Sequence, residues 1–220
     1  MVTMVLPYYI PIMLNCTGKR CVVVGGGQIA ERKVTALIAS SADTVVISPL
    51  LTPHLMSCYE KGQIHWIERG YREGDLQGAF LAYAVTDDVQ VNRAVVAEAE
   101  YRAVPVNDAS DGTRGSFITP ASLRRGGLIV AVSTSGAGPA VSKRLCQEVD
   151  AMFGEHYEAY IDFLGKMRMQ IKERVADQDK RQRLFKKLAE MDLLTQIREE
   201  RFRPWSVEEM TSWIDTYREE

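Results

Sequence analysis

The chain is short of the residues that would make it a disulfide scaffold, a metal site or a membrane span. Cysteine occurs four times in 220 residues, at Cys16, Cys21, Cys58 and Cys146, and no two of these form a C-x-x-C pair. The three histidines, His54, His65 and His156, are far apart, so no Cys/His group has zinc-ligand spacing. These absences argue against a permanent metal and leave reduced thiols in a cytoplasmic protein. Long apolar runs are also missing. The opening MVTMVLPYYIPIML is too short for a bilayer, is broken by two prolines, and lacks the basic start and small-residue cleavage site of a secretory leader. It reads as the start of the fold. Charge of one sign is absent too: 27 basic residues stand against 29 acidic ones, for a net charge of -2. No overall field favours nucleic acid, and the basic-looking KERVADQDKRQRLFKK interleaves acids as a solvated helix face does. Neither nucleic acid nor a membrane is expected as a partner.

What is present is ordinary globular material, 46% apolar and 25% charged, enough for one large domain or two small ones. Short apolar runs alternate with segments of helical spacing. Tyr9–Leu14 reads as a strand, followed by strands at Arg20–Val24, Thr44–Ile47, Gln63–Ile67, Phe80–Val85 and Ala103–Val106. Helices fall after Ile29, over Pro53–Lys61 and over Val89–Tyr101. Strand-helix alternation of this kind predicts an α/β fold, a parallel sheet with helices on both faces. The rhythm changes after Asn107. A polar loop, DASDGTRG, leads to two expected strands, Ser116–Thr119 and Leu128–Ser133, separated by PASLRRGG. A small-residue loop, STSGAGPA, then opens a helix near Ala140–Phe153. The remainder is charged and helical, and Ser206 to Glu209 fit a capping box. The expected division is a nucleotide-type domain over 1–113, a small β/α section over 114–150 and a helical domain over 151–220.

The most informative stretch is CVVVGGGQIAERK, Cys21 to Lys33. Gly25, Gly27 and Ala30 satisfy G-x-G-x-x-A between an expected strand and an expected helix. The first glycine permits a tight turn, the second admits a pyrophosphate to the backbone, and the small alanine lets helix and strand pack closely. The new helix offers free N–H groups and a positive dipole end to phosphate. One part of the pattern is missing. The strand Thr44–Ile47, second of the nucleotide-binding unit that Arg20–Val24 begins, ends in Ser48-Pro49-Leu50, with no acid for the adenosine ribose, so backbone groups or Ser48 must serve, and NAD and NADP remain equally open. Thr86-Asp87 after the strand Phe80–Val85 and Asn107 after the strand Ala103–Val106 belong to the edge where such sheets bind ligands. Thr86, Asp87 and Asp88 also suit a helix cap.

Taken as a set, GKRCVVVGGGQIAERK, AVTDD with VNRAV, VPVND, GSFITPASLRRGGLIVAVSTSGAGPAVSKRL and the helical tail resemble one family. It is the precorrin-2 dehydrogenase/sirohydrochlorin ferrochelatase family, which includes the N-terminal module of siroheme synthase. The resemblance runs at least from Pro11 to about Phe153. It implies a Rossmann-type domain, a dimerisation region in place of the β/α section, a helical C-terminal domain, and a homodimer with a tetrapyrrole in its cleft. It implies NAD as cofactor, with contacts at Gln28 and Ile29 in the loop and at Pro49 and Leu50 after the second strand. The implied reaction is NAD-dependent oxidation of precorrin-2 to sirohydrochlorin in siroheme biosynthesis, with Fe²⁺ insertion as a further activity in which iron is substrate. With the chain ending at residue 220, methylation of the precursor is expected from another protein.

The cofactor carries the redox chemistry, and the protein must hold a flat polyanion beside it. Arg114, Arg124, Arg125, Lys143 and Arg144 are candidates for its carboxylates, and Thr134 matches a small hydroxyl residue near substrate in the family. The family also implies an acid/base aspartate in an N-x-x-D pattern. Here Asn107 matches the asparagine, but ungapped counting reaches Ser110, flanked by Asp108 and Asp111. Asp111 is the favoured substitute and Asp108 the second, and loss of the base is the third reading. The sequence leaves two other functions open: a chelatase or carrier without dehydrogenation, and an NAD-responsive regulatory module.

Overall fold

The computed structural model describes residues 8–136 and 138–218. The apolar opening is therefore described only from Tyr8 onward, and Ala137 of the small-residue loop also lies outside the described residues. The chain forms two compact units, Met1–Thr119 and Pro120–Glu220.

In the first unit, five strands alternate with three helices: β1 (Arg20–Val24), α1 (Gln28–Ala39), β2 (Asp43–Ile47), α2 (Pro53–Glu60), β3 (His65–Ile67), β4 (Leu81–Ala84), α3 (Val89–Tyr101) and β5 (Val106–Asp108). All pairings are parallel, in the order β3-β2-β1-β4-β5. Strand β1 is central, and it is apolar from Cys21 to Val24 because both its faces are covered. Cys21 and Val23 join the core of α1 and α2, while Val22 and Val24 join the core of α3. The chain leaves β1 toward β2 on one side and resumes at β4 on the other. The crevice at that reversal is where a doubly wound sheet receives its ligand.

Three expected strands need correction. Tyr9–Leu14 forms no strand among the described residues, where Pro11 removes a donor; Tyr8, Ile10 and Ile12 are exposed. Strand β5 starts at Val106, after Pro105, whose ring removes a donor. Asn107 and Asp108 thus lie within the strand, opposite Tyr83 and Ala84. Ser116–Thr119 is not a strand. Its first residues return to β5 instead: the Ser116 and Phe117 N–H groups donate to Val106 O, and Ser116 Oγ accepts from Val106 N at 2.8 Å. Gly115 is needed there, because a Cβ would lie 2.8 Å from Val106 O. This return carries the first unit past residue 113 to Thr119.

In the second unit, β6 (Ala121–Arg125) and β7 (Leu128–Val132) form an antiparallel hairpin with Arg125 opposite Leu128, turning at Gly126-Gly127. The segment read as a spacer is thus mostly strand. Five helices follow: α4 (Pro139–Met152), α5 (His156–Arg174), α6 (Gln178–Glu190), α7 (Leu193–Arg198) and α8 (Val207–Tyr217). Phe163, Met167 and Ile171 of α5 share a core with Leu184, Leu188, Leu193, Met210 and Ile214. The Ser206/Glu209 capping box starts α8 as expected.

Candidate functional site

The glycine loop is built for close approach. Gly25 has φ +125°, and a Cβ there would sit 2.7 Å from Val85 O. A Cβ on Gly26 would overlap the Leu50 carbonyl oxygen and lie 2.7 Å from Ser48 Oγ. Gly27 differs: a Cβ there meets nothing within 4 Å. It is the N-cap of α1 in extended conformation with no side-chain cap, and the first helical bond runs from Glu31 N to Gly27 O. The N–H groups of Gln28, Ile29 and Ala30 therefore have no helical acceptor among the described residues and lie at the positive end of the helix, beside the open space at Gly27. Gln28, Ile29, Arg32 and Thr52 line an open groove of about 570 Å³. Bare donors, a dipole end and a cradle that a side chain would fill are what a pyrophosphate requires, so these residues fit a dinucleotide.

The turns after β1 and β2 are stitched together. Thr52 N donates to Gly26 O at 3.0 Å, Ser48 Oγ donates to Leu50 O at 2.7 Å, and Trp66 Nε1 donates to Ser48 O at 2.9 Å. Ser48 is buried and its proton is spent on this turn, so it shapes the ribose corner and does not donate to it. Pro49 and Leu50 are exposed at that corner, next to Gly26. Across the crevice, Thr86 is held by Asn92, which is fully buried on α3. Thr86 N and Oγ1 donate to Asn92 Oδ1 at 3.1 and 2.8 Å, and Asn92 Nδ2 donates back to Thr86 O at 3.0 Å. Asp88 takes the helix-capping role, through Gln90 N and Val91 N, which leaves Asp87 exposed. Asn92 and Thr52 were not singled out from the sequence. The only signal for Asn92 was an amide on the apolar face of a helix.

Four of the candidate catalytic and substrate residues meet in one polar cluster at the end of β5. Asp108 has no exposed side-chain surface. Its Oδ1 accepts from Ser110 N at 2.8 Å, Ser110 Oγ at 2.5 Å and Asp111 N at 3.3 Å. Arg114 Nε lies 3.4 Å from Asp108 Oδ2 and 3.1 Å from Asp111 Oδ2. Asp111 accepts from Thr113 N and Oγ1 at 3.0 and 2.6 Å. Those bonds, helped by the Arg114 charge, hold its carboxyl below the usual range. Arg114 is thus committed to two carboxylates of its own chain. Asn107 is buried and donates to Phe117 O at 3.0 Å, so its side chain fastens the return segment.

The remaining candidates lie in the second unit. Thr134 Oγ1 accepts from Gly138 N at 3.1 Å and lies 2.9 Å from Ser142 Oγ, fixing the entry to α4. Arg124 and Lys143 are exposed, with no ion pair among the described residues. Arg125 pairs with Asp150 at 2.6 Å and Arg144 with Glu148 at 2.9 Å. Among the described residues, no cluster of three or more metal-ligating side chains occurs and no helix is long and apolar enough to cross a membrane.

Sheet order, crevice and glycine cradle define a dinucleotide-binding protein. Comparison with known proteins agrees. A family model for NAD(P)-binding proteins matches residues 12–121, and one for the SirC C-terminal domain matches residues 157–192. The siroheme synthase of Chromobacterium violaceum is 35% identical over 182 residues, covering 83% of this chain and 39% of that protein. Siroheme synthase 1 of Aeromonas salmonicida is 33% identical over 188 residues, covering 86% of this chain and 40% of that protein. The chain thus spans less than half the length of these curated relatives. Among solved structures, SirC, a precorrin-2 dehydrogenase, superposes with TM-score 0.74 and 27% identity over 95% of this chain and 100% of that one. The chain belongs to the precorrin-2 dehydrogenase/sirohydrochlorin ferrochelatase family.

Proposed function

We propose that this protein is an NAD-dependent precorrin-2 dehydrogenase, which oxidises precorrin-2 to sirohydrochlorin on the route to siroheme. The observation that carries the reading is the open Gly27 cradle at the start of α1, in a chain that matches a precorrin-2 dehydrogenase over 95% of its length. Bound NAD⁺ would supply the hydride acceptor. Gly25 and Gly26 hold the turn against Val85 and Leu50, and the Gln28 and Ile29 amides face the phosphates. Pro49 and Leu50 border the adenosine corner, while Thr86 and Asp87 border the opposite half. The acid/base group is assigned to the cluster of Asp108, Ser110 and Asp111. Arg124 and Lys143 are the exposed cations assigned to substrate carboxylates, with Thr134 ordering the loop that follows β7.

The working unit is assigned as a homodimer. Val141 and Leu145 stand one turn apart on α4 and are 53% and 40% exposed, and Met152 ends the same helix 71% exposed. Large apolar groups left in water along one helix suit an interface. The four buried, unbridged cysteines suit a reducing cytoplasm.

The test is an anaerobic assay in which precorrin-2 is generated enzymatically and this protein is added with NAD⁺. Appearance of sirohydrochlorin absorbance only when both are present supports the reading. Tetrapyrrole binding without conversion would instead favour a carrier or chelatase, and NAD binding without tetrapyrrole binding a regulatory module.

A further inference from the structure

We propose that Ser110 and Asp108 form a two-residue proton relay, with Ser110 meeting the substrate and Asp108 receiving the proton behind it. The proposal rests on the dehydrogenase reading and concerns the proton that leaves together with the hydride.

The placement is that of a ligand edge. Asp108 ends β5 opposite Ala84, and Ala109 N donates to Ala84 O at 3.0 Å. Ser110 therefore rises from the carboxyl end of the sheet, beside the strand that delivers Thr86. Ser110 is an exposed residue, yet its hydroxyl donates backward to Asp108 Oδ1 at 2.5 Å, within the range of charge-assisted O–H···O⁻ bonds. The oxygen lone pairs are then left for whatever occupies the edge. Asp108 is fully buried and cannot touch a substrate itself. Its other oxygen, Oδ2, is buried without a hydrogen bond, although Arg114 Nε stands 3.4 Å away. A buried carboxylate oxygen left without a hydrogen bond is costly, and such exceptions call for a reason beyond folding. A part in passing the proton on from Ser110 supplies one. Asp111, the alternative base, is more accessible but is held by Thr113 and Arg114 in its charged form. Its carboxylate is engaged by Thr113, whereas the Ser110 hydroxyl is bonded to Asp108.

The step balances as follows. Bound NAD⁺ would supply the acceptor for the hydride that a macrocycle C–H bond gives up on breaking. A proton leaves the macrocycle for Ser110 Oγ, the Ser110 O–H proton passes to Asp108 Oδ1, and a new double bond forms in the ring system. After product departs, the proton returns through the Ser110 hydroxyl to water. A serine alone is a poor base at neutral pH, and the buried carboxylate removes that limitation.

The test compares S110A, D108N and the double variants S110A/D108N and S110D/D108N with the parent in the precorrin-2 assay. It follows kcat, its solvent deuterium isotope effect, NAD⁺ affinity and thermal midpoint. Ser110 is exposed, so S110A is expected to fold. The relay requires kcat to fall by about 10²-fold in S110A, the low end for a positioned acid/base, with NAD⁺ affinity unchanged. The solvent isotope effect should change with it. S110A/D108N should be no slower than the slower single variant, because the residues act as one unit. S110D/D108N, which restores one carboxylate at the exposed position, should regain activity over S110A/D108N. Wild-type kcat and isotope effect in S110A, with only the thermal midpoint lowered, would overturn the relay and leave Ser110 as a turn residue. If the parent itself yields no sirohydrochlorin, the dehydrogenase reading fails, an outcome distinct from failure of the relay alone.

Discussion

Replacing Gly27 by aspartate separates binding from folding. Gly27 is the uncapped start of α1, at φ −88° and ψ −172°, and a Cβ there touches nothing within 4 Å. Aspartate adopts this backbone readily and is a preferred N-cap, so the free protein gains about 0.5–1 kcal/mol from capping and the helix dipole. For a chain of this size that is a rise of about 2–4 °C in thermal midpoint at most. In the complex the same carboxylate would stand where the pyrophosphate belongs and occupy the amides that should bind it. One unit charge about 4 Å from another, at an effective dielectric near 20, costs about 4 kcal/mol, or about a thousandfold in affinity. Gly26→Ala should do the reverse: its Cβ overlaps Leu50 O, so stability falls by about 1–3 kcal/mol. Calorimetric titration with NAD⁺ and thermal unfolding of both variants provide the measurement. A folded Gly27→Asp protein that binds NAD⁺ as tightly as the parent would refute the placement of the phosphates.

Three more outcomes follow from particular contacts. Burial alone would raise the Glu98 pKa, but hydrogen bonds from Tyr71, Arg102, Gly74 N and Leu76 N outweigh it and hold the carboxyl below its ordinary value. Its stabilisation is therefore present above the ordinary glutamate range near pH 4.5 and lost as pH falls below it; Glu98→Gln should cost about 3 kcal/mol in urea unfolding at pH 7 and flatten that acid loss. Burial, with help from the Arg32 charge, lowers the Lys33 pKa from 10.5 to about 8, its ammonium lying 5.1 Å from the Tyr83 ring centre; limited acylation by an acid anhydride at pH 8 should modify Lys33 ahead of the exposed lysines, as read by peptide mass spectrometry. With the proposed homodimer resting on α4, Leu145→Glu should give a monomer in sedimentation where the parent sediments as a dimer, and a variant that sediments as the parent does would move the interface elsewhere.

The parts of the site legible in the sequence are those made by neighbours along the chain. The strand, glycines and helix of Cys21–Lys33 could be read because β1 is apolar on both faces and α1 begins immediately after the turn. The helix Val89–Tyr101 was readable from Asp88 and its periodicity. Contacts that depend on how a turn or loop closes were not. Asn92 clamps Thr86 from inside an apolar helix face, and Glu98 resembles any surface glutamate until the loop around Gly74 closes on it. Ser48 was available as a ribose donor in the sequence, but its hydroxyl is spent on Leu50 O. The end of β5 was misplaced because Pro105 delays the ladder, and with it went the burial of Asp108. Strand β6 was hidden by Arg124 and Arg125, whose charges suit a half-exposed hairpin as well as a loop.

The most direct measurement is stoichiometry in a single anaerobic turnover, with the protein in excess over precorrin-2 and NAD⁺ present. NADH and sirohydrochlorin should appear together, one for one and at the same rate, with neither formed when NAD⁺ or the protein is left out. Sirohydrochlorin forming at the same rate without NAD⁺, or no NADH despite bound tetrapyrrole, would contradict the assignment of this chain as an NAD-dependent dehydrogenase.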